Sequence, residues 1–288
     1  VDNDVILMAV AYNAGAGNLQ KWKSDKTAMK DPLLFLETLP SKETRQFVKR
    51  ILAAYWVYQE RLDQESPTLK ALAASVLLFS QLALAVTAGG PIVSLDGAVA
   101  VWLHSHATGL ATDVLRAVTQ LGGATFLLTV TIVAALVLLL KRRIAHAALM
   151  GAALVGGEGM NMALKAAFER PRPSFSEPLA TAAGYSFPSG HAMVALTVYG
   201  TLAFVTATSV KSRRAQVLIP VAAAVLVLAI GFSRLYLGVH YVSDVLAAYG
   251  AGLAWLTVCG IALLGASRLR AARSKVQLAP GVRGATAG

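Results

Sequence analysis

Six apolar stretches, each long enough to cross a lipid bilayer as a helix, constrain this chain more than any other feature. About 20 apolar residues span the hydrocarbon core of a bilayer, and the stretches cover residues 71–95, 117–140, 144–168, 192–210, 215–233 and 245–267. With 56% hydrophobic and 14% charged residues and a mean hydropathy of +0.60, the composition excludes a soluble globular protein, a disordered chain and a coiled coil. We predict an all-α fold, a bundle of six transmembrane helices whose first helix ends near Ala88.

The chain divides near Pro67. The residues before it carry mixed charges and a helical pattern from Ser41 to about Glu65, in which apolar residues recur every three or four positions. The chain begins with Val and its first apolar stretch begins only at residue 71, so we expect a longer gene product and no secretory signal peptide here. The three expected parts are a soluble helical segment over 1–66, the membrane domain over 67–267 and a basic disordered tail over 268–288.

The positive charge belongs to the membrane part. The net charge is +11, yet residues 1–67 hold nine Lys/Arg and nine Asp/Glu, so the whole excess falls in 68–288. If six helices alternate, the basic clusters at 141–143, 211–214 and 268–283 share one side. Because Lys and Arg concentrate in cytoplasmic loops, this side and both termini are predicted to be cytoplasmic. The charge therefore reports topology and does not indicate a nucleic-acid partner.

The opposite face is predicted to carry the remaining charges. Residues 96–116 are too polar to cross, and we expect them to lie along the interface as an amphipathic helix with His104 and His106 exposed. Glu158 within the third stretch is interpreted as a structural residue that faces the bundle interior. Arg170 and Glu169 are interpreted as rim charges of the outer face. The acidic residues assigned to this face are Asp96, Asp113, Glu169 and Glu177.

Three polar clusters stand at helix ends on this face, where the membrane makes ionisable groups costly. They are Lys165-x6-Arg172-Pro173, Pro188-Ser189-Gly190-His191, and Ser233-Arg234 followed by His240 and Asp244. Lys and Arg bind phosphate oxygens. Pro188 before Ser189 and Gly190 opens a helix whose free N–H groups favour an anion. The clusters therefore predict a phosphate site.

The histidines supply a candidate mechanism. His240 and Asp244 are four residues apart, which places them on one face if this turn is helical. The carboxylate can hold the Nδ1 proton of the imidazole and leave Nε2 free as a nucleophile, while His191 remains as a general acid. Taken singly, each of these residues also fits a structural role, but their combination on one face favours catalysis.

The same residues resemble the motifs of the type 2 phosphatidate phosphatase and vanadium haloperoxidase superfamily, over about 68–266. The resemblance implies that His240 attacks phosphorus to give a phosphohistidine, that Asp244 orients it and that His191 protonates the leaving group. A haloperoxidase holds vanadate in such a pocket, whereas six membrane helices favour a lipid phosphate. The resemblance also implies that the phosphoryl oxygens are bound, without a metal or other cofactor, by Lys165, Arg172, Ser189, Gly190 and Arg234.

The soluble segment contains three short motifs, Ala11-Tyr12-Asn13-Ala14-Gly15, Asp31-Pro32-x2-Phe35 and Glu43-Thr44-Arg45-x-Phe47-Val48-Lys49-Arg50. On these motifs, the first 60 residues resemble the C-terminal half of a soluble lytic transglycosylase domain, a lysozyme-like helical fold that cleaves peptidoglycan. The resemblance implies that Tyr12 and Asn13 line a sugar cleft, but no residue matches the catalytic glutamate of that family, since Glu43 matches a structural position. We expect an incomplete domain attached to a bacterial inner-membrane protein whose phosphate site is extracytoplasmic.

The leading hypothesis is a membrane enzyme that hydrolyses a lipid phosphate or diphosphate. The wall-enzyme-like segment favours undecaprenyl diphosphate, and phosphatidate and phosphatidylglycerol phosphate are the alternatives. Arg170 is the candidate cation for a second phosphate. Two alternative hypotheses assign the chain to other functional classes of protein. One is a membrane-anchored lytic transglycosylase whose catalytic part is missing from this chain, and the other is a non-catalytic lipid-binding protein with a relict site.

Overall fold

The structure, a computed structural model, describes residues 3–22, 32–63 and 67–278. All regular secondary structure in these ranges is α-helical, as predicted. The chain forms two compact units, residues 1–66 and 67–288, each with a core of its own.

The N-terminal unit contains four helices, α1 (Asn3–Ala14), α2 (Ala16–Trp22), α3 (Pro32–Thr38) and α4 (Lys42–Asp63). The main-chain N–H of Thr44 donates to Ser41 Oγ at 3.2 Å, so Ser41 caps α4 at the predicted start. Gly15 separates α1 from α2 with a φ of +86°, a conformation that glycine adopts without steric cost. The core is formed by Ile6, Val10, Phe35, Leu36, Leu39, Val48 and Leu52.

One surface of this unit presents an aromatic side chain to solvent. Tyr12 is 85% exposed and its ring stacks on Phe47, with ring centroids 6.1 Å apart. Asn13 beside it is also exposed. The two residues predicted to line a sugar cleft are therefore accessible. Asp31, which belongs to the same resemblance, lies outside the described residues.

The second unit contains the membrane helices. They are α5 (Pro67–Thr87), α6 (Pro91–Ser105), α7 (Gly109–Gln120), α8 (Ala124–Leu140), α9 (Ile144–Phe168), α10 (Gly190–Ala207), α11 (Arg213–Tyr236) and α12 (Val242–Leu278). Among them α5, α9, α10, α11 and the Val242–Gly265 part of α12 are long and apolar enough to cross a membrane. Helices α7 and α8 bend by 43° at the break between them and together meet the same criterion, which makes six spans when this pair is counted as one. The predicted six-helix membrane bundle is confirmed.

Helix α10 lies at the centre of this bundle and packs against α8, α9, α11 and α12, while α5 packs against α12. The outward sides of the helices expose large apolar residues such as Leu136, Val225 and Leu228, which suits contact with lipid and not with water. The centre of the core is formed by Leu127, Met150, Ala195, Val198 and Ile230.

The polar segment 96–116 differs from the single interfacial helix that we predicted. It comprises most of α6, a break, and the first part of α7. The break occurs because Thr108 caps α7: its Oγ1 accepts from the Ala111 N–H at 3.4 Å, and its own N–H donates to Tyr236 Oη at 2.9 Å.

The two histidines of that segment also differ from each other. His106 is exposed, as predicted. His104 is only partly exposed, and its ring stacks on Phe175 with centroids 4.1 Å apart.

The basic tail is helical further than predicted. Helix α12 continues to Leu278, whereas we expected disorder from residue 268 onward. Leu, Ala, Arg and Lys, which dominate residues 268–278, are strong helix formers, and the first proline follows only at Pro280. Residues 279–288 of the predicted tail lie outside the described residues.

Candidate active site

The eight residues predicted to form the phosphate site come from the ends of four helices on one side of the bundle. In chain order they are Lys165 near the end of α9, Arg172 and Ser189 in the loop before α10, Gly190 and His191 in the first turn of α10, Arg234 in the last turn of α11, His240 in the turn before α12, and Asp244 in the first turn of α12. Six of them line one cavity of about 1040 Å³. Ser189 and Asp244 are fully buried beside these six.

His240 is held from both ring nitrogens. Its Nδ1 lies 3.4 Å from Asp244 Oδ2, and its Nε2 lies 3.1 Å from Nη1 of Arg172. Because a guanidinium can only donate, Nε2 is the acceptor and the ring proton resides on Nδ1, facing the carboxylate. Burial lowers the pKa of His240 to about 4, against the opposing effect of the hydrogen bond and negative charge of Asp244. The imidazole is therefore neutral near pH 7, with its lone pair on Nε2 directed at Arg172.

Arg172 is oriented by main-chain carbonyls. Its Nε donates to the carbonyl of Gly184 at 2.9 Å, Nη2 to that of Ala183 at 2.9 Å, and Nη1 to that of Val239 at 2.8 Å. Burial lowers the pKa of Arg172, but an arginine keeps its charge in proteins. The cation is thus fixed beside His240 before any ligand binds.

The other two cations face the same cavity. Nη1 of Arg234 donates to Thr119 Oγ1 at 2.9 Å, and Nζ of Lys165 donates to the carbonyl of Tyr185 at 2.5 Å. The Nε of Arg234 and the hydroxyl of Ser189 are buried and have no hydrogen-bond partner among the described residues. Because a buried polar group without a partner is costly, an anion in the cavity would relieve that cost at Arg234.

Gly190 opens α10 where this helix approaches α9 closely. A Cβ atom there would lie 2.8 Å from Nδ2 of Asn161 on α9. The close approach brings the first turn of α10, with its unpaired N–H groups, beside the part of α9 that carries Lys165. The N-terminus of a helix favours a bound anion, so backbone and side chains converge on the same ligand charge.

Arg170 corrects one of the sequence-based predictions. We expected a rim charge that could meet a second phosphate, but its side chain is only 10% exposed and does not line the cavity. Its guanidinium pairs with Asp244 Oδ1 at 2.6 Å and with Asp96 Oδ2 at 2.8 Å. Asp96, expected on the outer surface, is fully buried. Glu169, in contrast, is exposed as predicted.

Sequence reasoning also missed the groups that bind the second oxygen of Asp244. The hydroxyl of Ser186 donates to Asp244 Oδ2, and the main-chain N–H of Tyr241 donates to the same oxygen at 2.8 Å. Ser186 is 58 residues from its partner and stands in an irregular loop, where neither periodicity nor a motif signals a contact.

One flank of the cavity is apolar and opens between α8 and α9. Its wall there includes Leu128, Val155 and Met162, of which Val155 is 72% and Met162 63% exposed on the bundle surface. Glu158 was expected to face the bundle interior, but it is exposed on this cavity wall, 3.5 Å from Nδ2 of Asn161. The cavity therefore connects a cationic end with a lipid-facing apolar opening.

Residues 3–22, 32–63 and 67–278 contain no cluster of side chains that could bind a metal ion. No group of three or more His, Cys, Asp or Glu side chains in these ranges is arranged to hold an ion. His240 and Asp244 contact each other and two arginines. The hydrogen-bond donors that remain around the cavity, on cationic side chains and on the first turn of α10, suit an anion.

A helical membrane bundle with a buried His–Asp pair, a second histidine and three cations around one cavity has the architecture of a membrane phosphatase. The sequence matches the PAP2 superfamily over residues 122–267, and the chain belongs to this family. It is a multi-pass membrane lipid phosphatase, which confirms the class predicted from the motifs.

Two comparisons with individual proteins agree with this assignment. The chain is 33% identical over 142 residues to phosphatidylglycerophosphatase B of Bacillus subtilis, covering 49% of this chain and 70% of that protein. It also resembles the crystal structure of the first transmembrane PAP2 type phosphatidylglycerolphosphate phosphatase from Bacillus subtilis, with a TM-score of 0.61 and 30% identity, over 66% of this chain and 94% of the other.

The N-terminal resemblance is confirmed by a separate match. The chain is 37% identical over 67 residues to the soluble lytic murein transglycosylase of Escherichia coli, which covers 23% of this chain but only 10% of that protein. The chain thus shares a small part of such an enzyme.

Proposed function

We propose that this chain hydrolyses a lipid phosphate through a phosphohistidine at His240. The observation that carries the proposal is the 3.1 Å contact between Nη1 of Arg172 and Nε2 of His240. A nitrogen that accepts from a guanidinium is unprotonated. A phosphoryl group bound by that guanidinium would therefore stand next to a ready nucleophile.

The reaction runs in two steps. In the first, the lone pair of His240 Nε2 forms a bond to phosphorus while the bond between phosphorus and the lipid oxygen breaks, and the protonated ring of His191 gives its proton to that oxygen. Asp244 accepts the Nδ1 proton in a hydrogen bond and stabilises the positive charge that the ring acquires. In the second step water attacks phosphorus, His191 takes its proton, the phosphorus–nitrogen bond breaks and inorganic phosphate leaves.

The phosphoryl oxygens are bound by the cationic end of the cavity. Lys165, Arg172 and Arg234 supply three positive charges, and Ser189 and Gly190 contribute the opening of α10. Such preorganised donors stabilise the charge that spreads over the oxygens in the transition state. The apolar opening between α8 and α9 suits the lipid chain of the substrate.

We propose phosphatidylglycerol phosphate as the substrate to test first. The relatives at 33% and 30% identity are named for this activity. Arg170, the outer cation expected to meet the second phosphate of a diphosphate, is instead paired with Asp96 and Asp244. Phosphatidate, which offers the same terminal phosphomonoester, is the matched comparison substrate.

Undecaprenyl diphosphate is kept as a second candidate because of the N-terminal unit. Its match to a murein-cleaving enzyme associates the chain with wall metabolism. The sequence does not support a lytic transglycosylase activity of the chain itself. Cleavage of a glycosidic bond needs a carboxylic acid at the glycosidic oxygen, and no residue of this sequence matches that catalytic glutamate.

We propose that the site faces the extracytoplasmic side of a bacterial inner membrane. The support is the position of the basic residues at the end of the bundle opposite His240. Residues 141–143 connect α8 to α9, and residues 211–214 cover the end of the loop after α10 and the start of α11. Positive loops remain in the cytoplasm.

The test is phosphate release by the purified full chain from these three lipids, in one detergent and in the presence of a chelator. We expect turnover in chelator, with the highest kcat/KM for phosphatidylglycerol phosphate, and loss of turnover in His240→Ala. Activity that depends on added magnesium would contradict the mechanism. A preference for undecaprenyl diphosphate would replace the substrate, and no release from any lipid would favour the relict-site alternative.

A further inference from the structure

A buried carboxylate outside the recognised motifs is connected to the nucleophile through one arginine. Asp96 on α6 is fully buried. Its Oδ1 accepts from the Ser243 N–H at 3.0 Å, and its Oδ2 accepts from the Ser243 hydroxyl and, at 2.8 Å, from Nη2 of Arg170. A charged carboxylate removed from water needs such partners, so the position of Asp96 is specified by contacts between segments 147 residues apart.

Arg170 joins this carboxylate to Asp244. Its Nη1 donates to Asp244 Oδ1 at 2.6 Å and to Ser243 Oγ at 2.7 Å. The guanidinium carbon lies 4.3 Å from the centre of the Tyr241 ring, which adds a cation–π contact. Arg170 therefore binds the oxygen of Asp244 that His240 does not use, and leaves Oδ2 directed toward His240 Nδ1.

The charges of the three side chains explain why two carboxylates are needed. Asp244 and Arg170 alone would form a neutral pair, and a neutral pair stabilises a positive imidazole ring poorly. The second carboxylate, Asp96, offsets the charge of Arg170. The cluster then keeps one net negative charge beside the ring that becomes positive when His240 bonds to phosphorus.

We propose that Asp96 and Arg170 are positioning residues that fix Asp244 and maintain the negative charge it presents to His240. The inference rests on the proposed function, because it concerns the same nucleophile. It assigns to Arg170 a role different from phosphate binding, and it assigns to Asp96 a role in catalysis although Asp96 does not line the main cavity that His240 and Arg172 share.

The test uses the charge of the cluster as its variable. Asp96→Asn keeps the side-chain shape but leaves the cluster neutral. We expect kcat to fall about tenfold or more with KM nearly unchanged, since weakening the carboxylate that supports a catalytic histidine lowers kcat. The double variant Asp96→Asn/Arg170→Gln restores the single negative charge of Asp244, and we expect its kcat to recover part of the loss.

Recovery in the double variant separates this role from a purely structural one. If Asp96 and Arg170 only hold the fold, the double variant would be less stable and less active than Asp96→Asn, and that outcome would overturn the proposal. Melting temperatures in the same detergent are measured for each variant. The matched control is Glu177→Gln, which removes an exposed carboxylate from the loop before α10 and should leave kcat unchanged.

The inference and the proposed function fail in distinguishable ways. An active wild-type protein in which Asp96→Asn has normal kcat would overturn the positioning role alone. A loss confined to KM would assign Asp96 to substrate binding and would also overturn it. A wild-type protein that releases phosphate from no lipid would overturn the proposed function, and the inference with it.

Discussion

At the scale of single residues, the environment of His240 has a measurable consequence for stability. Burial lowers its pKa to about 4 in the folded protein, whereas the side chain in an unfolded chain titrates near its ordinary value of about 6.5. Between pH 6.5 and pH 4, His240 is protonated in the unfolded state but remains neutral in the folded state. The contribution of His240 to stability is therefore complete above about pH 6.5 and is lost as the pH falls toward 4.

We predict that His240→Gln is less sensitive to acid than the wild-type protein. Each pH unit below 6.5 costs the wild type about 1.4 kcal/mol at this residue, so the stability difference between the two proteins should change by about 2 kcal/mol between pH 7 and pH 5. Parallel unfolding curves in one detergent measure it, since all other titrating groups are shared. Identical pH dependence in both proteins would show that His240 is not buried in the neutral form.

Arg172 provides a second prediction at this scale. Arg172→Lys keeps the positive charge but cannot bind the carbonyls of Ala183, Gly184 and Val239 while also reaching the substrate. Loss of one charge-assisted hydrogen bond costs about 1.5–3 kcal/mol, so we expect kcat/KM to fall about 10- to 100-fold. Steady-state kinetics measure the change, and kinetics like those of the wild type would mean that charge alone is required.

The residues that the sequence predicted and those it missed differ in a physical way. Lys165, Arg172, His191 and His240 stand in short motifs at helix ends, and the alternation of membrane helices is enough to place them on one side. Asp96 could not be assigned in this way, since its partners are distant in sequence and an aspartate in a polar segment is compatible with an exposed or a buried position.

At the scale of helices, the distance between α11 and α12 depends on a glycine. A Cβ atom at Gly231 would lie 1.9 Å from Tyr249 Oη and 2.8 Å from a methyl carbon of Val245. The Tyr249 hydroxyl donates to the carbonyl of Val227 at 3.0 Å and cannot move without losing that bond. This contact lies three residues before Arg234 on α11, so it also sets the spacing of the site.

We predict that Gly231→Ala destabilises the protein by about 1–3 kcal/mol, as overpacking does in other cores, and lowers kcat. The matched control is Gly151→Ala on α9, where an added Cβ meets nothing within 4 Å and helix propensity slightly favours alanine. Melting temperature and kcat are measured for both. Equal stability of the two variants would show that α11 and α12 are not as closely packed as described.

The ends of the helices were harder to predict than the helices themselves, because the ends depend on contacts between residues distant in sequence. The spans of α9, α10 and α11 follow from apolar composition, which the membrane enforces. The break between α6 and α7 depends on the Thr108 cap and on its contact with Tyr236, 128 residues away, and no local pattern contains that contact.

At the scale of the whole molecule, the number of crossings decides which compartment each part occupies. Six spans beginning with α5 return the chain to the side on which it started. If the basic loops are cytoplasmic, we predict that residues 1–66 are also cytoplasmic and that the loop between α9 and α10 is external. The transglycosylase-like unit would lie on the side of the membrane away from peptidoglycan.

We predict this topology and test it by cysteine labelling in intact cells. Cys259 is the only cysteine of the chain, so Cys259→Ala gives a background without thiols. In that background Ser176→Cys should react with a membrane-impermeant maleimide, while Arg213→Cys and Tyr12→Cys should react only after permeabilisation; Tyr12 suits the test because it is 85% exposed. Labelling of Arg213→Cys from outside would reverse the bundle. Labelling of both Tyr12→Cys and Ser176→Cys from outside would require an even number of crossings between these two residues. The N-terminal unit would then lie in the same compartment as the cell wall.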